Sequence, residues 1–281
     1  MPKNPPVERL GKNRGRYLGE TIEIESVLDG IRRAAQIHGW SAESLSSDSG
    51  PNLLFLTRNP TAPILFRRQV YISAGIHGDE PAGPLAILSL LEQDIWPADT
   101  GLWIAPCLNP TGFRRNTRES ADGIDLNRDY LQGRSTEVRS HLTWLRKLPA
   151  FDACFCLHED WESAGFYLYE LNPDSRPSLA PAIVDAVRSV CPIESAAMID
   201  GREINAPGII RPSIDPRLRP DWPEAFWLFQ NRTRLSYTLE SPSDFPLPVR
   251  VAALVNAIQA ALTNGISPID LSARASNPGS G

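Results

Sequence analysis

Four histidines occur in the 281 residues, and two of them stand where chemistry could be done. His77 lies in Gly75-Ile76-His77-Gly78-Asp79-Glu80, between an apolar run that reads as a strand and one that reads as a helix. The glycines allow a tight turn, and the three-residue step from His77 to Glu80 can bring an imidazole and a carboxylate to one side of it. Both groups are good zinc ligands. His158 directly follows a second apolar run, Phe151–Leu157. Catalytic zinc commonly has three protein ligands and keeps one position open for water. His77, Glu80 and His158 would make that set, although such a trio also accepts other divalent ions. Taken singly, each also has a plain alternative: His-Gly-Asp-Glu a surface turn, His158 a hydrogen-bonded structural residue. His38, at the end of one predicted helix, and His141, within another, are poorer candidates.

Two further places hold groups that complement a metal. The loop Asn109–Arg128 (NPTGFRRNTRESADGIDLNR) contains Arg114, Arg115, Arg118 and Arg128, with Asn127 beside the last. Fixed guanidiniums can grip a carboxylate through paired hydrogen bonds or stabilise an oxyanion. Charge alone would equally describe a solvated basic loop. Ile124 and Leu126 flank Asp125, however, and suggest partial burial. Glu240 ends the run Leu235–Leu239 (LSYTL) and precedes Ser241-Pro242. A carboxylate at a strand end could serve as general base toward water on a metal, or merely sit at the surface.

These groups need elements to position them. Apolar spacing predicts helices over Glu25–His38, Pro81–Leu91, Ser135–Leu148, Ser178–Val190 and Leu247–Leu262. Strands are predicted over Asn52–Arg58, Gln69–Ala74, Leu102–Ala105, Phe151–Leu157, Phe166–Leu171 and Leu235–Leu239. Such alternation implies an α/β fold: a mixed, mostly parallel twisted sheet with helices on both faces. In sheets of this kind the site lies outside the carboxyl ends of strands, where His77, the arginine loop, His158 and Glu240 all fall. One domain over 21–268 is expected, with a loose segment over 1–20 and a flexible tail over 269–281, both rich in Pro, Gly, Ser and Asn.

Composition narrows the function classes. With 42% hydrophobic and 22% charged residues, the chain can build a sizeable core. A net charge of −5 argues against nucleic acid as the main partner. No apolar run approaches the roughly 18 residues of a membrane span, and the basic N-terminus has no apolar stretch behind it. Cys107, Cys154, Cys156 and Cys191 form no Cys-x-x-Cys pair. Cys154 and Cys156 share one strand face and read as core. A reducing, cytoplasmic setting is expected.

In order, His77-Gly78-Asp79-Glu80, Asn109-Pro110-Thr111-Gly112, Arg118, Gly123-Ile124-Asp125-Leu126-Asn127-Arg128, His158 and Glu240 resemble the zinc carboxypeptidase family, especially its compact bacterial, murein peptide amidase-like members. The likeness covers roughly residues 50 to 260. It implies zinc on His77, Glu80 and His158. Glu240 would deprotonate water on the zinc and hand the proton to the leaving amine. Arg118 would polarise the scissile carbonyl, Asn127 and Arg128 would bind the substrate's terminal carboxylate, and Asp125 would orient a zinc-binding histidine. The family's substrate-capping tyrosine has no clear counterpart: Tyr167 and Tyr169 follow His158, and Tyr237 looks locked in a strand. The acidic run Glu159-Asp160-Trp161-Glu162 is unusual so near a metal and is read here as solvated, with a substrate amine or second cation as the alternative. The segment Gly201–Arg219, with Arg202, Arg211, Arg217 and Arg219, is a candidate specificity wall or a plain surface loop.

The resemblance leads to a metallocarboxypeptidase, or a murein-peptide amidase, acting on a small peptide with a free carboxylate. The alternative is an N-acyl amino acid deacylase of the succinylglutamate desuccinylase/aspartoacylase group, which is similar at His-Gly-x-Glu and Asp-Leu-Asn-Arg. Asn-Pro-x-Gly leans toward the peptidase branch. A third reading, a catalytically inactive zinc or peptide binder, would lack the base, whereas Glu240 is present.

Overall fold

The computed structural model describes residues 8–13, 17–48, 50–59, 68–263 and 265–266. The strands are β1 (Ser41–Leu45), β2 (Leu53–Arg58), β3 (Arg68–Ala74), β4 (Thr100–Ala105), β5 (Ala153–Asp160), β6 (Tyr167–Leu171), β7 (Met198–Ile199), β8 (Arg202–Glu203), β9 (Ile209–Ile210) and β10 (Ser236–Pro242). The helices are α1 (Ile24–Ile37), α2 (Ala82–Gln93), α3 (Pro110–Phe113), α4 (Thr136–Leu145), α5 (Ala180–Val187), α6 (Glu224–Asn231) and α7 (Leu247–Thr263).

Eight strands form one sheet in the order β1-β2-β4-β3-β5-β10-β6-β9, and β7 and β8 pair separately. The centre, β4-β3-β5-β10, is parallel. On its flanks β2 runs antiparallel to β4, β1 to β2, and β6 to β10, so the sheet is mixed. Strand alternation sends side chains to two cores. Leu54, Leu56, Val70, Ile72, Phe155 and Leu157 meet α1, α2, α5 and α7 on one face. Leu53, Phe55, Tyr71, Cys154 and Cys156 meet α4 and α6 on the other. With both faces covered, the central strands read as continuous apolar runs. All four cysteines are buried free thiols.

The expected helices and strands form with shifted ends. β5 does not stop at Leu157, nor β10 at Leu239: β5 runs through His158 to Asp160, and β10 through Glu240 to Pro242. Their polar ends stay in the ladder because neighbouring groups satisfy them. The exposed strand β1 carried too little apolar pattern to be predicted, and the apolar run of the short helix α6 is too brief to show a helical period.

The N-terminal residues that are described are tied to the body. Arg9 Nε and the backbone N–H groups of Gly11, Lys12 and Asn13 donate to the Asp244 carboxylate. The expected tail, 269–281, lies outside the described residues. No helix among the described residues is long and apolar enough to cross a membrane.

Candidate metal centre

β3 ends at Ala74, and the chain turns at Gly75 with φ +64°. A Cβ there would sit 3.0 Å from both Phe113 and Pro84, so glycine answers two demands at once. Three residues further on, a Cβ at Gly78 would fall 2.1 Å from the Gly112 carbonyl carbon. The His77 turn and the loop after β4 are therefore in backbone contact.

That loop explains the Asn-Pro-x-Gly motif. Asn109 Oδ1 accepts from Gly112 N at 2.8 Å, capping α3, while its Nδ2 donates to the Arg118 carbonyl at 3.2 Å. Gly112 must be glycine, since a Cβ would lie 2.5 Å from Asn109 Nδ2 and 2.7 Å from the Glu119 carbonyl. The motif thus folds the loop back and delivers Arg118 to the turn.

His77, Glu80 and His158 converge, with one ligand atom from each within 4.8 Å of the others. His77 Nδ1 lies 2.5 Å from Glu80 Oε1, and His158 Nδ1 lies 3.0 Å from Glu80 Oε2. All three residues are buried. Buried charged groups need a partner or a metal, and two imidazoles with one carboxylate form a donor set that suits a divalent cation. His77 Nε2 faces the other way, 3.4 Å from Asp125 Oδ1. A carboxylate on the non-ligating nitrogen is the arrangement that fixes the tautomer of metal-binding histidines. The residues therefore fit a metal. Among the described residues no other group of three or more His, Cys, Asp or Glu side chains converges in this way.

The electrostatics follow from this packing. Burial acts to raise Glu80, but the imidazoles of His77 and His158 outweigh it and hold the carboxyl well below the usual range. Burial acts to lower His77, and Glu80 and Asp125 outweigh it, so the imidazole is raised. Asp125 is likewise held low against its burial by His77, Arg118 and Arg128.

Glu240 reaches the centre through strand register: β10 pairs with β5 so that Glu240 stands beside His158. Burial pushes its carboxyl up to about 8; Glu80 and Asp160 reinforce this, and His158 opposes it. Arg118 donates from Nε to Asp125 Oδ2 at 3.0 Å, and its Nη1 lies 3.3 Å from His77 Nδ1. Asp125 also caps the short 3-10 turn Leu126–Arg128 through Asn127 N, at 2.9 Å. Asn127 Oδ1 accepts from Glu224 N at 2.9 Å, which leaves its amide nitrogen as the donor.

A cavity of about 520 Å³ opens on these groups, and His77, Glu80, Arg118, Asn127, Arg128, His158 and Glu240 all line it. The four arginines of the 201–219 segment divide. Arg202, 3.8 Å from the Asp200 carboxylate, and Arg219 line the cavity, whereas Arg211 pairs with Glu170 at 2.6 Å and Arg217 with Asp215 at 2.7 Å. Arg219 lies 4.8 Å over the Phe226 ring, and no carboxylate among the described residues is within ion-pair distance of it or of Arg128. Arg114 pairs with Glu25, away from the centre. Tyr167 and Tyr169 line the cavity, with hydroxyls donating to Asp160 and Asp200. Tyr237 is buried and donates to Glu170.

The acidic run after His158 needs correcting. Glu159 is not solvated: its side chain is fully buried and accepts from Ala82 N at 2.6 Å and from Arg250 Nη1 at 2.5 Å. Tyr17, Glu224 and Arg250 were not singled out by sequence reasoning, and Glu159 stood out only as part of the acidic run. Their partners lie 77 to 233 positions away, where no local spacing can signal them.

Fold and cluster define an α/β protein of carboxypeptidase-like fold in which His77, Glu80 and His158 form a donor set that could hold a divalent metal. The profile of the succinylglutamate desuccinylase/aspartoacylase catalytic domain matches residues 67–185. Carboxypeptidase SOL1 of Arabidopsis thaliana is 34% identical over 177 residues, covering 54% of this chain and 35% of the relative. Murein peptide amidase A of Escherichia coli (strain K12) is 31% identical over 83 residues, covering 30% and 34%. The chain thus spans about a third of the length of the curated relatives it matches. In fold it is similar to a provisionally named metallopeptidase from Shewanella denitrificans OS217, with a TM-score of 0.75 and 22% identity over 92% of this chain and 100% of the other. These likenesses show a carboxypeptidase-like α/β fold and a partial sequence resemblance to both carboxypeptidase-type and desuccinylase/aspartoacylase-type proteins.

Proposed function

We propose that the chain is a zinc-dependent hydrolase that cuts an amide bond next to a free carboxylate, as a metallocarboxypeptidase acting on small, murein-type peptides. The observation that bears most on this is the convergence of His77, Glu80 and His158 in one cavity with Glu240 and an arginine wall. Zinc held by the three ligands would supply Lewis acidity, polarising a carbonyl and acidifying water.

The chain's own residues divide the remaining work. Glu240, held beside His158 by the pairing of β10 with β5, takes a proton from the attacking water onto its carboxylate and passes it to the leaving nitrogen. Arg118, anchored by Asp125 at Nε, presents Nη1 toward the cluster and stabilises the developing oxyanion. The Asn127 amide and the Arg128 guanidinium receive the terminal carboxylate. Arg202 and Arg219 extend the same positive wall.

The deacylase reading is the second, favoured by the match of residues 67–185 to the desuccinylase/aspartoacylase profile. The zinc-loaded chain should be assayed on C-terminal dipeptides, murein peptides and N-acyl amino acids. Release of a C-terminal amino acid from the peptides supports the first reading. Turnover of the acyl amino acids alone installs the second, and turnover of none, with zinc bound, defeats both.

A further inference from the structure

A line of polar contacts, half-buried at its N-terminal end and buried beyond Arg250, runs from the N-terminal residues to the His77–Glu80–His158 cluster. Arg250, on α7, is fully buried. Its Nη1 donates to Glu159 Oε2 at 2.5 Å and to the Tyr17 hydroxyl at 3.2 Å, and its Nη2 pairs with Glu20. Glu159 then makes two contacts with the Glu80 turn. Its Oε1 accepts from Ala82 N at 2.6 Å, and its backbone N donates to Glu80 Oε2 at 3.1 Å.

The chemistry of these contacts is directional. α2 begins at Ala82 behind Pro81, which offers no capping side chain. The first N–H groups of a helix need outside acceptors, and Glu159 supplies one from another strand. Glu159 also directly follows His158, so its placement bears on two candidate ligands at once. A guanidinium holds its donors in a rigid planar fork. Arg250 therefore fixes where the Glu159 carboxylate can sit. Without that cation, Glu159 would be a buried carboxylate with no counter-charge, beside a cluster that already contains Glu80.

We propose that Arg250 is a positioning residue for the metal cluster, acting through Glu159, and that Tyr17 and Glu20 hold Arg250 in place, so that the N-terminal segment tunes metal affinity. This rests on the zinc-binding reading above. It assigns a task to Glu159 and to residues 17–20, which the hydrolytic mechanism does not use.

The test is the zinc affinity of the full-length, metal-free chain, measured by competition with a chromogenic chelator, together with its thermal unfolding before zinc is added. Arg250→Met should weaken zinc by roughly 10–100-fold, the range for partners that orient metal ligands. Arg250→Lys should restore part of that loss. Glu20→Gln acts at a side chain that is 37% exposed. It should fold normally and still weaken zinc by a few-fold, which keeps the proposal testable if Arg250→Met fails to fold. Wild-type affinity in a folded Glu20→Gln chain and in a folded Arg250 variant would overturn the inference, even if the metal-free chains were less stable. A wild-type chain that takes up no zinc would instead overturn the proposed function and this inference with it.

Discussion

Two histidine environments lie against the same sheet and behave in opposite ways. His77 and His158, at the carboxyl ends of β3 and β5, are 2% and 4% exposed; His141, on α4, is 0% exposed. Burial therefore does not separate them. What differs is the company. The first pair faces the Glu80 carboxylate, which raises His77 against its burial. His141 sits between two tyrosine hydroxyls, 2.7 Å from Tyr130 and 2.9 Å from Tyr71, and burial alone pushes it down to about 3. The Tyr71 hydroxyl donates to Glu224 Oε1 at 2.7 Å, so its oxygen accepts from His141 Nε2 while Tyr130 donates to Nδ1. That network suits a neutral, structural imidazole. A buried histidine becomes a candidate ligand only where a carboxylate and an open cavity share its surroundings.

The contrast breaks most visibly in the rate. Glu240→Gln should retain zinc and lose about 10²–10⁴ in kcat, the range for a positioned acid–base group. His141→Gln should stay within a few-fold of wild type. Steady-state kinetics with metal analysis of both variants checks this. Equal losses would mean that the two regions do not divide catalysis from structure.

A smaller effect sharpens the cavity side. Arg128→Ala should cut kcat/KM for carboxylate substrates by roughly 10–100-fold, the worth of one charge-assisted hydrogen bond, and leave the matching carboxamides unchanged. Paired assays of the two substrate series measure it. Parallel losses on both would remove Arg128 from carboxylate recognition.

Much of this contrast could be read from the chain itself. His77 and Glu80 share one turn, and the Asn109 and Asp125 motifs fix their loops through contacts within nine residues, so local spacing carries the signal. The two cores follow from strand alternation. Glu159 was misread because a run of four acidic or aromatic residues looks solvated until Arg250, 91 positions on, is folded against it. The ends of β5 and β10 were cut short for the same reason: polar residues read as loop unless distant partners satisfy them. β1 was missed because it joins the sheet through backbone pairing, with almost no buried side chains.

The structural side of the comparison has its own test, in acid. Above pH 6.5, the ordinary histidine value, His141 is neutral whether the chain is folded or not and contributes no pH dependence. Between 6.5 and about 3 the unfolded chain binds a proton that the folded chain refuses. Stability from this site therefore falls as pH falls, by at most about 1.4 kcal/mol per unit. Other buried groups titrate too: Glu159, lifted to about 6 by burial against the pull of Arg250, works in the opposite direction. The informative quantity is therefore the difference between wild type and His141→Gln, whose amide keeps a donor and an acceptor but cannot take the proton. Urea unfolding of the metal-free chains at pH 7 and pH 5.5 should show wild type losing up to about 1 kcal/mol more than the variant. If the two lose stability in parallel, His141 is not held neutral, and the distinction between a structural imidazole and a metal-site imidazole loses its physical basis.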